Sequence, residues 1–175
     1  MNKMVEKLLI AFICISSAVV AQENKPKPDV KPLLHEVSNK DVVQSIYPDA
    51  DKVIKANEYW FKVSDNDNKT LGYAMSSTNF CKTVKGYSDM TPVMIITDRN
   101  QVIKKVSLLT NRESPGYVSK LEKKGFFNLW VGKTLKEAKK VRVDGYTGAT
   151  CTALAVLKNV DFLLNKGMKD FPGMN

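Results

Sequence analysis

Histidine and cysteine are scarce in this sequence of 175 residues, which has one histidine and three cysteines. The cysteines, Cys14, Cys81 and Cys151, form no Cys-x-x-Cys pair, and a single histidine, His35, cannot make a ligand cluster. Structural zinc sites, iron–sulfur clusters and c-type haem all require such groupings. The acidic residues offer no recognisable catalytic pair either. The sequence therefore predicts no metal site and no catalytic residue.

A long hydrophobic run is also lacking, because the apolar run near the N-terminus is shorter than the roughly 20 residues of a membrane-spanning helix. Residues 8–20 are apolar or small, Lys3 and Lys7 precede them, and small residues lead up to Ala21. This order is typical of a secretory signal peptide. We expect residues 1–21 to be cleaved after Ala21 and the protein to be exported, to the periplasm or the outer face of the cytoplasmic membrane. An uncleaved anchor is the alternative.

Acidic residues are outnumbered, with 18 Asp and Glu against 27 Lys and Arg, which gives a formal net charge of +9. A basic exported domain attracts anionic lipid headgroups or an acidic partner. The lysines are scattered rather than gathered into a basic helix with interleaved aromatic residues, so nucleic acid is not an expected ligand.

Alternation of apolar and polar residues predicts two β-hairpins. The first joins residues 59–63 to residues 71–75, and the second joins residues 92–97 to residues 101–109 through a turn at residues 98–100. These stretches are rich in β-branched or aromatic residues and are bounded by turn formers. An antiparallel sheet is the predicted core of the fold.

Three helices are predicted around this sheet. Residues 38–41 resemble a capping box that opens a short helix ending near Pro48, and a second short helix is predicted for residues 50–55. Apolar residues at a spacing of three to four predict a long amphipathic helix over residues 149–164. The predicted class is α+β, a single domain with helices packed on an antiparallel sheet.

The most informative stretch, residues 144–150, reads Asp-Gly-Tyr-Thr-Gly-Ala-Thr and leads directly into the long helix. Such a loop places unpaired backbone N–H groups and the positive end of the helix dipole around a small space, which is typical of a phosphate site. Thr150 is expected in the first turn, with its hydroxyl in that space. The alternative is that Thr147 or Thr150 merely caps a helix after a glycine turn.

This stretch resembles the flavinylation motif, Asp-Gly-x-Thr-Gly-Ala-Thr, of the FMN-binding domain family. The family includes flavin-carrying subunits of the sodium-translocating NADH:quinone reductase and of the Rnf complex, and many stand-alone exported proteins. In it the last threonine carries FMN through a phosphoester bond, which a separate flavin transferase installs using FAD and magnesium. The resemblance implies covalent FMN on Thr150. The other cofactor-binding residues that it implies here are Asp144, Gly145, Thr147, Gly148, Ala149 and Thr152.

The chemistry of the threonine agrees with modification by a separate enzyme. A threonine hydroxyl is a poor nucleophile until a base removes its proton, and the sequence places its only histidine, His35, far upstream. Once attached, the phosphodiester keeps a negative charge at a helix N-terminus, which stabilises by roughly 0.3–1 kcal/mol. The expected partner in maturation is therefore a flavin transferase.

A second region continues the resemblance. Gly86-Tyr87, a strand, a turn, another strand and then the sequence Glu-Ser-Pro-Gly follow in the order of the family, where this segment lies against the isoalloxazine ring. Relatives continue with Leu-Gly, where this chain has Tyr117 and Val118. A flexible glycine after the rigid proline is expected to take a positive φ, so that the loop folds over a flat ring. An ordinary surface turn is the alternative. The cofactor-binding residues implied are Glu113, Ser114, Pro115 and Gly116.

The resemblance also implies the domain limits. Residues 73–168 are expected to form the FMN-binding domain, and residues 37–72 an N-terminal extension packed on it. Three prolines among charged residues predict an extended linker for residues 22–36.

The cysteines that remain after export leave three possibilities open. A Cys81–Cys151 disulfide would close a loop of about 70 residues and stabilise the fold by roughly 4 kcal/mol. Alternatively, Cys151 is a free thiol whose pKa is lowered at the helix start, or both are inert buried thiols.

The resemblance implies an exported electron-transfer flavoprotein that relays electrons between membrane or periplasmic redox partners. Two alternatives stay open. One is a flavin-dependent reductase with its own substrate, and the other is a binding or structural module of the same fold that carries no flavin.

Overall fold

The structure, a computed structural model, describes residues 34–143 and 148–174, all within one unit of the chain. Its described part is built on a five-stranded antiparallel sheet in the order β1-β2-β3-β4-β5. Each strand therefore pairs with its neighbours in sequence. The strands are β1 (Lys52–Lys55), β2 (Trp60–Ser64), β3 (Thr70–Ser76), β4 (Val93–Asp98) and β5 (Ile103–Leu108).

Both predicted hairpins are confirmed, since β2 pairs with β3 and β4 pairs with β5. The second hairpin turns where the sequence predicts. There the Asp98 side chain accepts hydrogen bonds from the backbone N–H groups of Asn100 at 2.9 Å and Val102 at 3.0 Å. An aspartate that bonds the backbone two residues ahead favours a turn over further strand.

The short helix predicted for residues 50–55 is wrong, because residues 52–55 form strand β1. All four residues of this strand are exposed, so burial does not hold it in place. It is held by antiparallel pairing with β2, in which Lys55 lies opposite Phe61. A Lys-Val-Ile-Lys segment suits an edge strand, since β-branched residues favour strands and lysines protect an open edge. Pairing with β2 therefore decides that residues 52–55 form a strand rather than a helix.

The described helices are α1 (Asn39–Gln44), α2 (Pro115–Lys123), α3 (Leu135–Ala138) and α4 (Thr150–Lys166). Three short 3-10 turns, Phe126–Trp130, Gly167–Asp170 and Pro172–Met174, follow α2 and α4. The predictions of a short helix after Ser38 and of a long helix at the C-terminal end are confirmed. The Ser38 hydroxyl caps α1 by accepting a hydrogen bond from the backbone of Asp41 at 3.3 Å.

Helices cover both faces of the sheet, which confirms the α+β class. On one face, α2, α3 and α4 pack over a core that includes Trp60, Ile95 and Phe126. On the other face, α1 packs over a smaller core around Val63 and Ile96. β4 lies between two strands and under both layers, so five of its six residues are buried.

The C-terminal end of α4 is fixed to the sheet by a buried hydrogen bond. The indole Nε1 of Trp60, on β2, donates to the carbonyl of Gly167 at 2.7 Å. Phe171 packs edge-on against the same indole, with ring centroids 5.1 Å apart. Because a buried indole N–H needs a partner, this contact sets where α4 ends.

None of the helices in residues 34–143 and 148–174 is long and apolar enough to cross a bilayer. The predicted signal peptide and nearly all of the predicted linker lie outside the described residues.

Candidate functional site

The start of α4 carries the residue that the sequence predicts as the attachment site. Thr150 is the first residue of this 17-residue helix and its side chain is exposed. Gly148 precedes it with a φ of 88°, a conformation that favours glycine. The N-cap residue is Ala149, which has no side-chain oxygen and is buried in the core. Thr150 therefore lies in the first turn as predicted, and the N-cap position beside it is not a threonine.

Part of the motif cannot be compared with the structure. The predicted site residues Asp144, Gly145 and Thr147 lie outside the described residues, so their roles stay predictions.

A pocket of about 270 Å³ adjoins the start of α4. Its outer wall consists of Tyr87 and Tyr117, whose rings meet at 89° with centroids 4.9 Å apart. Tyr87 is 59% exposed, which is unusual for so large an aromatic side chain. The remaining lining residues are Gly148, Ala149, Thr150, Cys151 and Thr152. An aromatic wall next to an exposed hydroxyl suits a flat ring attached to that hydroxyl.

Three larger pockets exist elsewhere in the described part of the protein, with volumes of about 620 Å³, 500 Å³ and 430 Å³. None of the three is lined by a residue of α4. Size alone does not identify the site here, because the chemistry that the sequence predicts is located at Thr150.

Glu113 connects the loop that carries Tyr87 to the start of α4. Its carboxylate is fully buried and accepts backbone hydrogen bonds from Tyr87 at 3.0 Å, Ser88 at 2.8 Å and Asp89 at 3.0 Å. The hydroxyl of Thr152, also fully buried, donates to the same carboxylate. Glu113 and Thr152 were predicted to bind the cofactor, and the structure gives both an internal contact that holds two walls of the pocket together.

The prediction that Gly116 takes a positive φ in a loop is wrong. Ser114 is the N-cap of α2, Pro115 is its first residue, and Gly116 continues the helix. Proline suits the first position of a helix because its φ is already fixed near the helical value and its missing N–H is not needed there. Because α2 starts at Pro115, Tyr117 lies in its first turn, where it lines the pocket together with residues of α4.

A cation lies beside the pocket, at a residue that was not predicted to belong to the site. The ammonium group of Lys120 lies 5.7 Å from the centre of the Tyr117 ring, within the range of a cation–π contact. A Cβ atom placed on Gly148 would lie 3.5 Å from the same nitrogen. Lys120 follows Tyr117 by three residues, so the helical spacing could have indicated that both lie on one face.

The two cysteines of the described chain are free thiols, so the disulfide alternative is not realised. Cys81 is buried, and burial raises the pKa of its thiol, which makes it an inert core residue. Cys151 is exposed and lines the pocket next to Thr150.

Comparison with known proteins shows which family the region around Thr150 matches. Residues 86–165 match the FMN-binding domain family, a range that includes Tyr87, Glu113, Lys120 and Thr150. The chain contains an FMN-binding domain. The contacts between Tyr87, Glu113 and Thr152 are therefore internal to that domain.

Among solved structures, the chain is similar to the crystal structure of NqrC from Shewanella oneidensis. The two are 23% identical, the TM-score is 0.42, and the match covers 60% of this chain and 54% of that one. The matched part thus spans about half the length of NqrC. No curated protein sequence gives a significant match.

Replacing Gly86 tests the contact between the Tyr87 loop and Glu113. A Cβ atom at residue 86 would lie 2.7 Å from the carboxyl carbon of Glu113, so Gly86→Ala must displace a buried group that holds four hydrogen bonds. We expect the free energy of unfolding to fall by about 1–3 kcal/mol, measured by urea denaturation.

Gly116→Ala is the matched control. A Cβ atom there meets nothing within 4 Å and the residue is helical, so stability should stay the same or rise by up to about 1 kcal/mol. Equal effects of the two substitutions would contradict the close contact at Gly86.

Proposed function

We propose that this protein is an exported electron-transfer flavoprotein that carries FMN on Thr150 through a phosphoester bond and relays electrons between redox partners. One observation supports this more than any other. Within the range that matches the FMN-binding domain, the exposed residue Thr150 begins a 17-residue helix and lines a pocket together with two tyrosines.

The residues around Thr150 fit a phosphate ester and a flat ring. The first turn of α4 offers backbone N–H groups and the positive end of the helix dipole to a phosphodiester. Lys120 adds a full positive charge beside Gly148. Tyr87 and Tyr117 offer aromatic surface to one side of an isoalloxazine ring. The flavin would supply the electron transfer itself, while the protein holds and shields it.

Attachment by a separate flavin transferase fits the surroundings of the hydroxyl better than self-modification. Glu113 is buried near the first turn, but its oxygens accept three backbone hydrogen bonds and one from Thr152. A carboxylate so engaged cannot readily take a proton from Thr150. His35 pairs through its backbone with Asn111 and does not line the Thr150 pocket. These contacts favour removal of the proton by the modifying enzyme.

Export gives covalent attachment a physical purpose. A cofactor that dissociates outside the cytoplasm is diluted and lost, whereas an esterified flavin stays with its protein. The basic start, short apolar run and small residues that end at Ala21 support export.

The test is to express the full chain together with a flavin transferase and to isolate the exported form. We expect the intact mass to rise by one esterified FMN and the protein to absorb visible light. After anaerobic reduction, we expect reoxidation by chemically unrelated acceptors, such as ferricyanide, a soluble quinone and cytochrome c. A colourless chain of unmodified mass would instead favour a module without flavin. Reoxidation by one small molecule alone would favour a reductase.

A further inference from the structure

Positive charge is concentrated in the part of the chain that contributes Tyr117 and Lys120 to the proposed flavin site. Residues 99–143 contain twelve Lys and Arg against three Asp and Glu, whereas residues 34–98 contain seven against nine. The net charge of +9 therefore comes chiefly from the segment that contains α2 and α3. Charge gathered at one part of a surface produces a directional electric field, which an even distribution does not.

The structure places this segment next to α4. Both α2 and α3 pack against α4, and Lys120 on α2 lies beside Gly148, at the mouth of the pocket. The residues that follow α3 lead along the chain directly into the motif that ends at Thr150. We call the five exposed lysines of α2, of α3 and of the two residues after α3 the basic rim. Its members are Lys120, Lys123, Lys136, Lys139 and Lys140.

Neighbouring acids offset only part of the charge of the basic rim. Among the described residues, the salt bridge found is Lys104–Asp98, on the β-hairpin, and it includes no lysine of the rim. Glu137, within α3, accepts hydrogen bonds from the backbone and hydroxyl of Thr134 at 2.8 Å and 2.9 Å. Glu113 is buried inside the domain. Glu137 interacts with Lys140 and Glu122 is exposed on α2, so these two acids offset part of the charge and the five lysines keep a net positive charge.

We propose that the basic rim is the docking surface for an acidic electron-transfer protein, which exchanges electrons with the flavin at Thr150. This inference rests on the proposed function, because it needs a flavin at the centre of the surface. Complementary charge steers an encounter complex and raises its association rate, and it leaves dissociation fast enough for turnover. Such a contact places the partner's redox centre near the exposed edge of the pocket at Tyr87.

A membrane surface fits the rim less well than a protein. Helices that lie on bilayers combine basic residues with large apolar side chains that insert among the lipids. Of the large hydrophobic residues exposed in the described chain, Val131 lies within residues 120–142, Tyr87 lines the pocket and Leu154 lies on α4. The apolar residue of α2 that points inward, Leu121, is fully buried. The rim thus combines the charge that attracts anionic lipid with few exposed apolar side chains, which favours a protein partner.

The test uses the flavin-loaded protein, reduced anaerobically, and two inorganic oxidants of opposite charge. Ferricyanide, a trianion, represents an acidic surface, and hexaammineruthenium(III), a trication, represents a basic one. Each reduced flavin gives up two electrons and two protons and converts two oxidant ions to their one-electron-reduced forms. Rates are measured by stopped flow from about 0.01 M to about 0.5 M salt, a range over which the Debye length falls from about 30 Å to a few Å.

We expect the ferricyanide rate to fall about tenfold or more as salt is added and the ruthenium rate to rise. Replacing Lys123, Lys136, Lys139 and Lys140 together with glutamine should remove most of both salt dependences. The matched control replaces Lys40, Lys52, Lys55 and Lys69 with glutamine, which changes the net charge equally but on α1, on the edge strand β1 and in the turn before β3. We expect the control to behave like the wild type.

Three results would overturn the docking proposal while leaving the flavin assignment intact. The first is a ferricyanide rate that does not depend on salt, and the second is an equal effect of the control variant. The third is a rim variant that no longer sediments with phosphatidylglycerol vesicles but is oxidised like the wild type, since the rim would then serve a membrane. A chain that carries no flavin would overturn the proposed function itself, which the visible spectrum reveals before any rate is measured.

Discussion

Thr150→Val should give a folded protein that carries no covalent flavin. Valine has nearly the same shape as threonine but lacks the oxygen that forms the ester, so no phosphate can be attached. The residue is exposed, and we expect the free energy of unfolding to change by about 1 kcal/mol or less. The measurements are the intact mass and visible absorbance of the exported protein after co-expression with a flavin transferase.

Two control variants test whether flavin attachment depends on the Thr150 hydroxyl alone. Thr150→Ser keeps an oxygen at the same place in the first turn of α4 and should remain flavinylated, although the smaller side chain is free to rotate more. Thr78→Val changes another exposed threonine, next to the end of β3 and 72 positions before Thr150 in sequence, and should be flavinylated like the wild type. A yellow Thr150→Val protein with the full gain in mass would show that the ester is formed elsewhere.

Glu113→Ala should cause the largest loss of stability among the substitutions considered. It removes the acceptor of three backbone N–H groups and of the Thr152 hydroxyl, and it leaves a cavity in a site from which water is excluded. Unsatisfied buried donors cost about 1–3 kcal/mol each when they cannot rearrange. Because the loop can partly relax, we expect a total loss of about 3–5 kcal/mol in the free energy of unfolding.

Glu113→Gln separates the charge of this group from its shape. Glutamine fills the same space, but its amide nitrogen cannot accept a hydrogen bond, so some of the four hydrogen bonds are lost. We expect the free energy of unfolding to fall by about 2–3 kcal/mol. Glu122→Gln makes the same chemical change on the exposed side of α2 and should alter stability by about 0.5 kcal/mol or less. Urea denaturation measures all three, and equal midpoints for the two glutamine variants would contradict the internal role of Glu113.

The loss of Glu113 should also reduce flavin loading in the fraction that folds. The carboxylate holds the loop of Tyr87 against the first turn of α4, and without it the tyrosine wall of the pocket is no longer fixed. Incorporation can be measured as flavin absorbance per folded protein.

Some predictions concern features on which the structure and the comparisons do not bear. The limits of the domain, the signal peptide, the redox partners and the roles of Asp144, Gly145 and Thr147 stay predictions. The mass of the exported chain would test the cleavage site after Ala21 directly.

Local sequence patterns were enough to predict the elements that depend on residues close together in the chain. Alternating side chains and turn-forming residues predicted both hairpins, and the spacing of apolar residues predicted α4 and the position of Thr150 in its first turn. These features depend on residues within a few positions of one another, so the chain specifies them before it folds.

Other features depend on partners that are distant in sequence. β1 is a strand because β2 lies beside it, although its own residues are all exposed. Glu113 contacts the backbone of residues 87–89 and the hydroxyl of Thr152, which are 24 to 39 positions away. No local pattern distinguishes a carboxylate that binds a ligand from one that binds the protein's own backbone.

The sequence by itself therefore determined the class of fold, the helix that begins at Thr150 and the motif that suggests a flavin on it. Only the tertiary structure decided what surrounds that threonine: the two tyrosines, the lysine beside Gly148 and the buried carboxylate beneath them. The physical reason is that hydrophobic spacing and turn chemistry act along the chain, whereas a pocket is formed by segments that meet only after the sheet and its helices have packed.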